Sequence, residues 1–438
     1  ARHLPWGLFQ HLYVEAFALA VACLVGGVLL LRWGRVLWLA LIALLPFSVE
    51  IPIPGLPAEM VIPTEPLIPA LTAVALLTIL IRKKFRWTHN RMNPAVALFV
   101  LALFLTLTGS HDRVITLKAI IRDTSYIIAG YLLIRHYLTS PQDLKYLLLI
   151  RGAVTTLIVL YGLYTQFTQG VRIYQQIAFP FFREYSLYAA LVALDFSMLG
   201  AFILDYPRSA WRWLGIGVLG LWGFALAMTF SRGAWLSLMA LGVLYIIFYR
   251  RQIDLKMATA AGMLMIVGIM IIGSLQVSHL FSQRMQHLTD MKFLTNYDRI
   301  DRWMAALSIF AEHPVLGVGW GRYADEYYQY TYYTDAYSID IHMGAHNLYL
   351  EMLAESGLVG TTAFGLIVLF FFMEALKLRR KCSDRFLRTV LTGAMGAMIT
   401  YLVHACVNNL GPSDKISLSV WTLFGLVPWI GGKCKEET

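Results

Sequence analysis

The chain has 438 residues, of which 58% are hydrophobic and 14% are charged, and its mean hydropathy is +0.62. Soluble chains carry roughly 25% charged residues, so this composition excludes an ordinary soluble protein and indicates a membrane protein. The formal net charge is +10, but Lys and Arg lie mainly in short loops between apolar runs. That distribution marks cytoplasmic loops of a multi-pass membrane protein and argues against binding to nucleic acid.

The four cysteines do not form a recognisable pattern. Cys23, Cys382, Cys406 and Cys434 are scattered without the spacing of metal ligands. Three of them fall in or beside apolar segments or basic segments of cytoplasmic type. We therefore expect neither a disulfide framework nor a zinc site.

Apolar runs recur along the whole chain, and most are long enough to cross a hydrocarbon layer of roughly 30 Å as helices. Between two of them, residues 46–69 are rich in Pro, contain three Glu and lack Lys and Arg, which predicts a non-helical outer loop. The runs cover residues 12–31, 36–49, 66–81, 94–109, 114–134, 144–166, 186–204, 214–230, 234–249, 257–275, 358–376, 389–408 and 416–430.

Basic clusters indicate which connections face the cytoplasm. The clearest are residues 82–91 and residues 377–388, the latter with six basic residues. If the chain crosses the membrane between these cytoplasmic clusters, about twelve spans follow from residue 36 onward. Both ends of this set of spans then face the cytoplasm. Residues 12–31 are then either a thirteenth span or an interfacial or re-entrant segment. We predict an all-α, multi-pass membrane protein.

One long polar stretch separates two sets of spans. The connection at residues 276–346 has about seventy residues, which is too long for a plain loop, so we expect a small, partly helical subdomain facing outward. The predicted division is therefore N-terminal transmembrane helices (1–275), a large outer loop ending in a short helix (276–357) and C-terminal transmembrane helices (358–438).

Four arginines are predicted on the outer side, where charged groups beside spans are costly and so are candidates for function. Arg183 precedes the run at residues 186–204, Arg232 lies in a tight polar break between two runs, and Arg299 and Arg302 lie in the long loop. Converging guanidinium groups make a bidentate site suited to phosphate or diphosphate. The alternative for Arg232 is that its side chain extends to lipid phosphates.

Two features of the long loop have competing interpretations. The glycines of residues 313–321 could suggest a phosphate cradle, but no Lys-Ser/Thr pair follows and no strand precedes, so we predict a tight turn that closes a helix. Seven tyrosines between Tyr323 and Tyr337 could stack on sugar rings or form an interfacial aromatic belt.

His346 is the candidate catalytic residue. It stands at the predicted start of a short helix over residues 344–357, just before an apolar run. The positive end of the helix dipole disfavours the imidazolium, so a neutral base is expected near pH 7. Gly357 is expected to stop this helix. The alternative is an interfacial histidine that only caps the helix.

These residues resemble the O-antigen ligase and O-antigen polymerase superfamily of bacterial envelope glycosyltransferases. The likeness is strongest over residues 298–360, in the Arg299 to Trp303 pair, the turn at residues 313–321 and the segment from His346 to Gly357. The order of the apolar runs extends it over nearly the whole chain.

Two spacings favour the ligases within that group. Ligases of this group typically carry two patterns. In an outer loop, an Arg is followed by three residues and then a Leu. After the large loop, a His is followed by ten residues and then a Gly. Arg183 to Leu187 fits the first spacing, and His346 to Gly357 fits the second. Polymerases often carry an Arg, ten residues and Gly in outer loops, and no outer arginine here matches that spacing.

The resemblance implies a GT-C-like glycosyltransferase of the bacterial inner membrane with its active site on the periplasmic face. The implied donor is O-antigen on undecaprenyl diphosphate, and the implied acceptor is lipid A-core. His346 would be the general base, the four outer arginines would bind the diphosphate, and Leu187, Asn347 and Gly357 would support the motifs. No metal, nucleotide or other cofactor is expected.

Three other functions remain open at this point. A polymerase or a protein O-oligosaccharyltransferase would use the same donor and a different acceptor. A transporter for a lipid-linked sugar would be of another class, but transporters place polar groups at broken helices near the midplane and often repeat their halves. Here the polar residues concentrate in one outer loop, which favours an enzyme.

Overall fold

The structure is a computed structural model that describes residues 32–52, 59–82, 90–169, 177–207, 210–249, 294–331 and 343–436. Within these ranges almost every apolar run is a helix, as predicted, and a single two-stranded ribbon is the only sheet. Residues 32–44 form α1. The other helices are α2 (Thr64–Arg82), α3 (Met92–Leu105), α4 (Arg113–Ile127), α5 (Leu133–Tyr137), α6 (Pro141–Gln169), α7 (Tyr185–Asp205), α8 (Arg212–Met228), α9 (Arg232–Tyr249), α10 (Leu294–Glu312), α11 (Tyr323–Glu326), α12 (Leu348–Lys381), α13 (Arg385–Ala405) and α14 (Asp414–Glu436).

Six helices of the described ranges are long and apolar enough to cross a membrane. They are α2, α6, α7, α9, α12 and α13, and α3 and α8 are shorter apolar helices. The predicted runs at residues 12–31 and 257–275 lie outside the described residues. A multi-pass helical membrane protein is therefore confirmed, and the count of twelve or thirteen spans stays a prediction.

The stretch predicted as a non-helical outer loop is partly a β-ribbon. β1 (Val49–Pro52) and β2 (Glu59–Ile62) pair antiparallel, with Val49 opposite Ile62. The prediction is wrong beyond Thr64, where α2 begins and continues through the prolines at its start. Pro66 is tolerated because the first turn of a helix has no internal partner for the missing N–H. Pro69 lies inside the helix and costs it one backbone hydrogen bond.

The expectation of no disulfide is wrong, since Cys382 and Cys434 are bonded, with their Cα atoms 5.4 Å apart. Cys382 follows the last residue of α12, and Cys434 lies in the last turn of α14. The bond therefore ties two helix ends together. Spacing could not reveal it, because the two cysteines are 52 residues apart and meet only when these helices pack.

α13 lies between α7 and α9 at the centre of the bundle. Its small residues allow the close approach: a Cβ on Gly393 would come within 2.6 Å of Met198 Sδ, and one on Gly396 within 2.7 Å of the Leu241 side chain. In lipid the hydrophobic effect does not drive helices together, and small residues allow the close packing that holds them instead. This packing brings the start of α9 beside the end of α13, where the candidate site lies.

Candidate active site

His346 lies in the turn that precedes α12, in a left-handed conformation with φ 50°. The prediction that it begins the helix is wrong by two positions, because α12 begins at Leu348 and Asn347 is its N-cap. The Asn347 side chain accepts hydrogen bonds from the backbone N–H groups of Tyr349 (3.1 Å) and Leu350 (3.2 Å). Asn is among the preferred N-cap residues, which explains why the helix starts after it.

Three hydrogen bonds hold the two residues before His346. Arg302 Nη1 donates to the Gly344 carbonyl (3.0 Å) and Trp303 Nε1 to the Ala345 carbonyl (3.1 Å). From the other side, the Ala345 N–H donates to Glu351 Oε2 (2.7 Å). Because the Asn347 cap fixes the following residue as well, the backbone is bound on both sides of His346.

The imidazole of His346 is largely buried, and its Nδ1 has no hydrogen-bond partner among the described residues. Burial, together with the positive charges of Arg302 and Arg299, lowers the pKa of His346 from 6.5 to about 3. The ring is therefore neutral at pH 7. The sequence predicted a neutral imidazole from the helix dipole, whereas the causes found here are burial and two neighbouring arginines.

Arg302 positions the His346 turn and is not available to a substrate. Its side chain is 2% exposed, and besides Gly344 it binds Asp298 through Nη2 (2.8 Å) and Nε (3.1 Å, to the carbonyl). The predicted diphosphate-binding role is therefore corrected to a structural one. Arg299 lies one turn earlier on α10 and is only partly buried.

The glycine-rich turn binds a kink in α12. Gly357 has φ 58° inside this helix, so it bends the helix where the sequence predicted a stop. The kink frees backbone groups that the turn then satisfies: Val318 N–H donates to Ala354 O (3.0 Å), and Leu358 N–H donates to Pro314 O (2.9 Å). Residues 313–321 thus form a structural turn, as predicted, and not a phosphate cradle.

Glycine is required at both sides of this contact. A Cβ on Gly357 would overlap the backbone of Val315, and a Cβ on Gly317 would overlap the backbone of Glu355. Both residues also have positive φ, which side chains other than that of glycine rarely adopt. The spacing from His346 to Gly357 therefore has a physical meaning: it is the length of the helical segment between the His346 turn and the kink that the glycine-rich turn holds.

Two buried carboxylates on that segment were missed by the sequence reasoning. Glu351 is 8% exposed and Glu355 is 5% exposed. Glu351 accepts from Ala345 N–H and from the Asn409 side chain, and Glu355 accepts from the Tyr323 N–H (2.9 Å). The sequence did contain a signal for them. Glu351 and Glu355 are four residues apart, which places them on one helix face, and they lie close to an apolar span.

The first tyrosines of the loop are core residues. Tyr323 and Tyr327 are almost fully buried, and their hydroxyls donate to the Arg302 carbonyl and the Asp301 carboxylate, each at 2.6 Å. They pack α11 and the turn that follows it against α10, so neither sugar stacking nor an interfacial belt describes these two residues. Tyr332, Tyr333 and Tyr337 lie outside the described residues.

Arg232 begins α9 after a turn with the same unusual conformation as His346. Phe230 has φ 52°, and within the described ranges Phe230 and His346 are the two non-glycine residues with positive φ. Such conformations are costly and cluster at functional sites. Next to Arg232, a Cβ on Gly233 would come within 2.8 Å of the Asn408 amide. The start of α9 therefore packs closely on the connection between α13 and α14.

Arg183 lies in the segment before α7 and forms an ion pair with Glu50 of β1, with half of its side chain exposed. The Lys415 ammonium holds this segment by donating to the Phe181 carbonyl and lies 4.1 Å from the Phe182 ring centroid. Leu187, in the first turn of α7, packs against the hydrophobic core. Leu187 is therefore a packing residue that supports the start of this helix.

The connection between α13 and α14 brings these elements together. Asn409 donates to Glu351, a Cβ on Gly411 would come within 2.9 Å of the Leu348 side chain, and Asn408 lies against the start of α9. Lys415, in the first turn of α14 just after this connection, binds the segment that carries Arg183. The segments of His346, Arg232 and Arg183 thus surround one connection at the same end of the bundle.

These features define a class: a multi-pass helical membrane protein with a neutral histidine in a rigid turn, beside Arg299 and Arg302, at one end of the bundle. Residues 217–365 match the family model described as O-antigen ligase. The predicted resemblance is therefore confirmed over a segment that contains His346, Arg232, Arg299, Arg302 and Gly357. Arg183 and Leu187 precede it.

A relative of different stated specificity is also similar. The ComP-specific O-oligosaccharyltransferase of Acinetobacter baylyi (strain ATCC 33305 / BD413 / ADP1) is 23% identical over 164 residues, which are 37% of this chain and 30% of that protein. The match therefore spans less than a third of the relative's length. Both comparisons point to glycan transfer by a membrane enzyme.

Proposed function

We propose that this protein is a membrane glycosyltransferase that moves a glycan from a lipid diphosphate carrier to an acceptor hydroxyl, and that it acts as an O-antigen ligase. The donor would be O-antigen polysaccharide on undecaprenyl diphosphate, and the acceptor a sugar hydroxyl of lipid A-core, at the periplasmic face of the inner membrane. The observation that carries the proposal is His346, which is neutral, has no hydrogen-bond partner at Nδ1 among the described residues, and lies in a turn bound on both sides.

The reaction is a single displacement. The acceptor oxygen attacks the anomeric carbon while His346 accepts its proton, and the bond from that carbon to the diphosphate oxygen breaks with its electron pair leaving on undecaprenyl diphosphate. A positioned general base contributes typically about a hundred- to ten-thousand-fold in rate. One displacement without a covalent intermediate inverts the configuration at the anomeric carbon.

The leaving diphosphate needs charge stabilisation more than it needs a proton. Arg183, Arg232 and Arg299 are the candidates, because each lies on an element at the His346 end and a guanidinium can bind phosphate oxygens in pairs. Arg302 is excluded from direct contact by its burial and its bonds to Asp298 and Gly344. We expect transfer to proceed without divalent metal or ATP.

Protein O-oligosaccharyltransferase activity is the second candidate. It is favoured by the similarity to the Acinetobacter baylyi enzyme whose name states that activity. The donor chemistry and the role of His346 would be the same, and the hydroxyl would belong to a protein side chain. The distinction therefore depends on the acceptor alone.

A competition assay separates these two functions. The purified full chain would receive undecaprenyl-diphosphate-linked glycan with lipid A-core and a Ser-containing peptide at equal concentration, in buffer with a chelator of divalent metals. Glycan found on lipid A-core supports the ligase, and glycan found on the peptide supports the second candidate. Transfer to neither, by protein that unfolds cooperatively, would contradict both.

A further inference from the structure

A second polar site lies at the opposite end of the bundle from His346. A cavity of about 390 Å³ is lined by Asp205, Arg379, Arg385 and Arg388. Asp205 is the last residue of α7, Arg379 lies in the last turn of α12, and the other two arginines lie in the first turn of α13. The cavity therefore sits where three helices of the central bundle end or begin.

Helix lengths place this cavity about one membrane thickness from the candidate active site. α13 has 21 residues and α9 has 18, which correspond to about 32 Å and 27 Å at 1.5 Å per residue. Arg232 is at the start of α9 and His404 at the end of α13, beside the active site, whereas Tyr249 and Arg385 are at their other ends. Since the hydrocarbon core is about 30 Å thick, the cavity lies at the other membrane surface.

The charge of this cavity is not neutralised within the described part of the chain. Arg379 donates to the Thr392 hydroxyl (2.9 Å) and lies 4.5 Å from the Phe248 ring centroid. Arg385 donates to the Asp205 backbone carbonyl and lies 4.5 Å from the Tyr206 ring centroid. These contacts orient the two guanidinium groups without pairing them with a carboxylate.

Asp205 does not cancel the charge either. Its Oδ2 accepts from the Tyr249 hydroxyl (3.0 Å) and the Thr389 hydroxyl (2.7 Å), and no ion pair joins it to the three arginines. Among the described residues, the cavity is thus lined by three cations and one anion, with Arg388 exposed at its rim. The planar guanidinium groups of such arginines can each donate two parallel hydrogen bonds to a phosphate.

We propose that this cavity binds the phosphate of an anionic phospholipid headgroup. Basic pockets between transmembrane helices on the cytoplasmic side are suited to such headgroups. The surroundings favour a lipid over a soluble anion, because Trp211 and Trp213 at the start of the neighbouring α8 are 76% and 75% exposed. Exposed tryptophans are typical of the headgroup level of a bilayer.

The test measures bound lipid on the full chain. The purified protein in neutral detergent would be titrated with phosphatidylglycerol or phosphatidylcholine and analysed by native mass spectrometry. Arg388→Gln should weaken phosphatidylglycerol binding about fivefold, the loss of one arginine near a phosphate, and leave phosphatidylcholine binding unchanged. Arg379→Gln, which also loses its contact with Phe248, provides a second variant that should weaken it in the same way.

Arg380→Gln is the matched control, because Arg380 is an exposed neighbour of Arg379 and does not line the cavity. It should bind phosphatidylglycerol like the unaltered protein. Equal weakening by Arg380→Gln and Arg388→Gln would overturn the proposal, since net charge alone would explain it. Displacement of the lipid by millimolar inorganic phosphate would also overturn it and assign the cavity to a soluble anion.

Discussion

Trp303 of α10 donates its indole N–H to the carbonyl oxygen of Ala345, 3.1 Å away, in the residue immediately before His346. Arg302, its neighbour, donates to the carbonyl of Gly344. One turn of α10 therefore determines the path of the backbone into the candidate catalytic residue. The amphipathic helix of the large loop acts as a support for the site and not only as a cover over it.

Trp303→Phe should lower the rate of transfer more than it lowers stability. The indole is replaced by a smaller aromatic ring and one hydrogen bond is lost, so unfolding should become easier by at least about 0.5 to 1.5 kcal/mol, while kcat falls because the His346 turn loses a fixed point. Thermal unfolding in detergent and steady-state transfer measure the two effects.

Trp429→Phe is the matched control for that substitution. Trp429 is also buried and donates its indole N–H to a backbone carbonyl, that of Leu138 at 2.7 Å, far from His346 along α14. It should show a similar loss of stability with kcat unchanged per folded molecule. An equal fall in kcat for both variants would mean that Trp303 acts only through global stability.

Gly357→Ala should damage the protein far more than Gly365→Ala. At Gly357, φ is 58° and a Cβ would overlap the Val315 backbone, so the turn at residues 313–321 could not dock on α12. At Gly365, on the same helix, a Cβ would meet no described residue within 4 Å, and alanine should be neutral or stabilising by about 0.5 to 1 kcal/mol. Protease sensitivity of the large loop, followed in membranes, reports docking directly.

The sequence predicted the helices well because each span is a self-contained pattern of apolar residues. It also placed His346 beside the start of a helix, although that helix begins two residues later than predicted. It could not predict that Arg302 is buried and bonded to Gly344, or that Cys382 meets Cys434, because these facts depend on how distant helices pack. Glu351 and Glu355 were overlooked for a related reason: an acid beside a span shows its role only once its partners, Ala345 and Tyr323, are known.

The pH dependence of transfer should have no acid limb near pH 6.5. His346 has its pKa lowered to about 3 by burial and by two arginines, so the neutral base persists as the pH falls from 8 to about 5. Arg299→Gln should move the acid limb of the pH–rate profile to higher pH, because it removes a positive charge beside the imidazole. The limb should stay below pH 6.5, because burial is the larger cause of the lowered pKa. Initial rates measured from pH 4 to 8 would contradict the assignment if half the activity disappeared at pH 6.5.

The same pKa predicts a change in stability. Between about pH 6.5 and pH 3 the unfolded chain protonates this histidine while the folded protein does not, so the folded state loses stability as the pH falls through that window. His346→Asn removes this contribution. The variant should therefore lose less thermal stability between pH 7 and pH 4 than the unaltered protein does, and equal losses would argue against a buried neutral ring.

Arg183→Lys and Glu50→Gln distinguish a diphosphate-binding arginine from a structural ion pair. Both changes weaken the pair between Arg183 and Glu50, but only the first replaces a bidentate donor by a point charge. We expect Arg183→Lys to raise KM for the lipid-linked donor or lower kcat about tenfold, the loss of one charge-assisted hydrogen bond, and Glu50→Gln to leave both nearly unchanged. Similar losses of activity in the two variants would indicate that Arg183 acts only through its ion pair with Glu50 of the β-ribbon.

The most direct measurement is transfer of glycan from undecaprenyl diphosphate by purified His346→Ala, beside His313→Ala as a control from the glycine-rich turn. If His346 is the general base, its variant should bind the donor with unchanged affinity and lose about a hundred- to ten-thousand-fold in kcat, while His313→Ala keeps the full rate. A His346→Ala protein that folds, binds donor and transfers glycan at the unaltered rate would contradict the account.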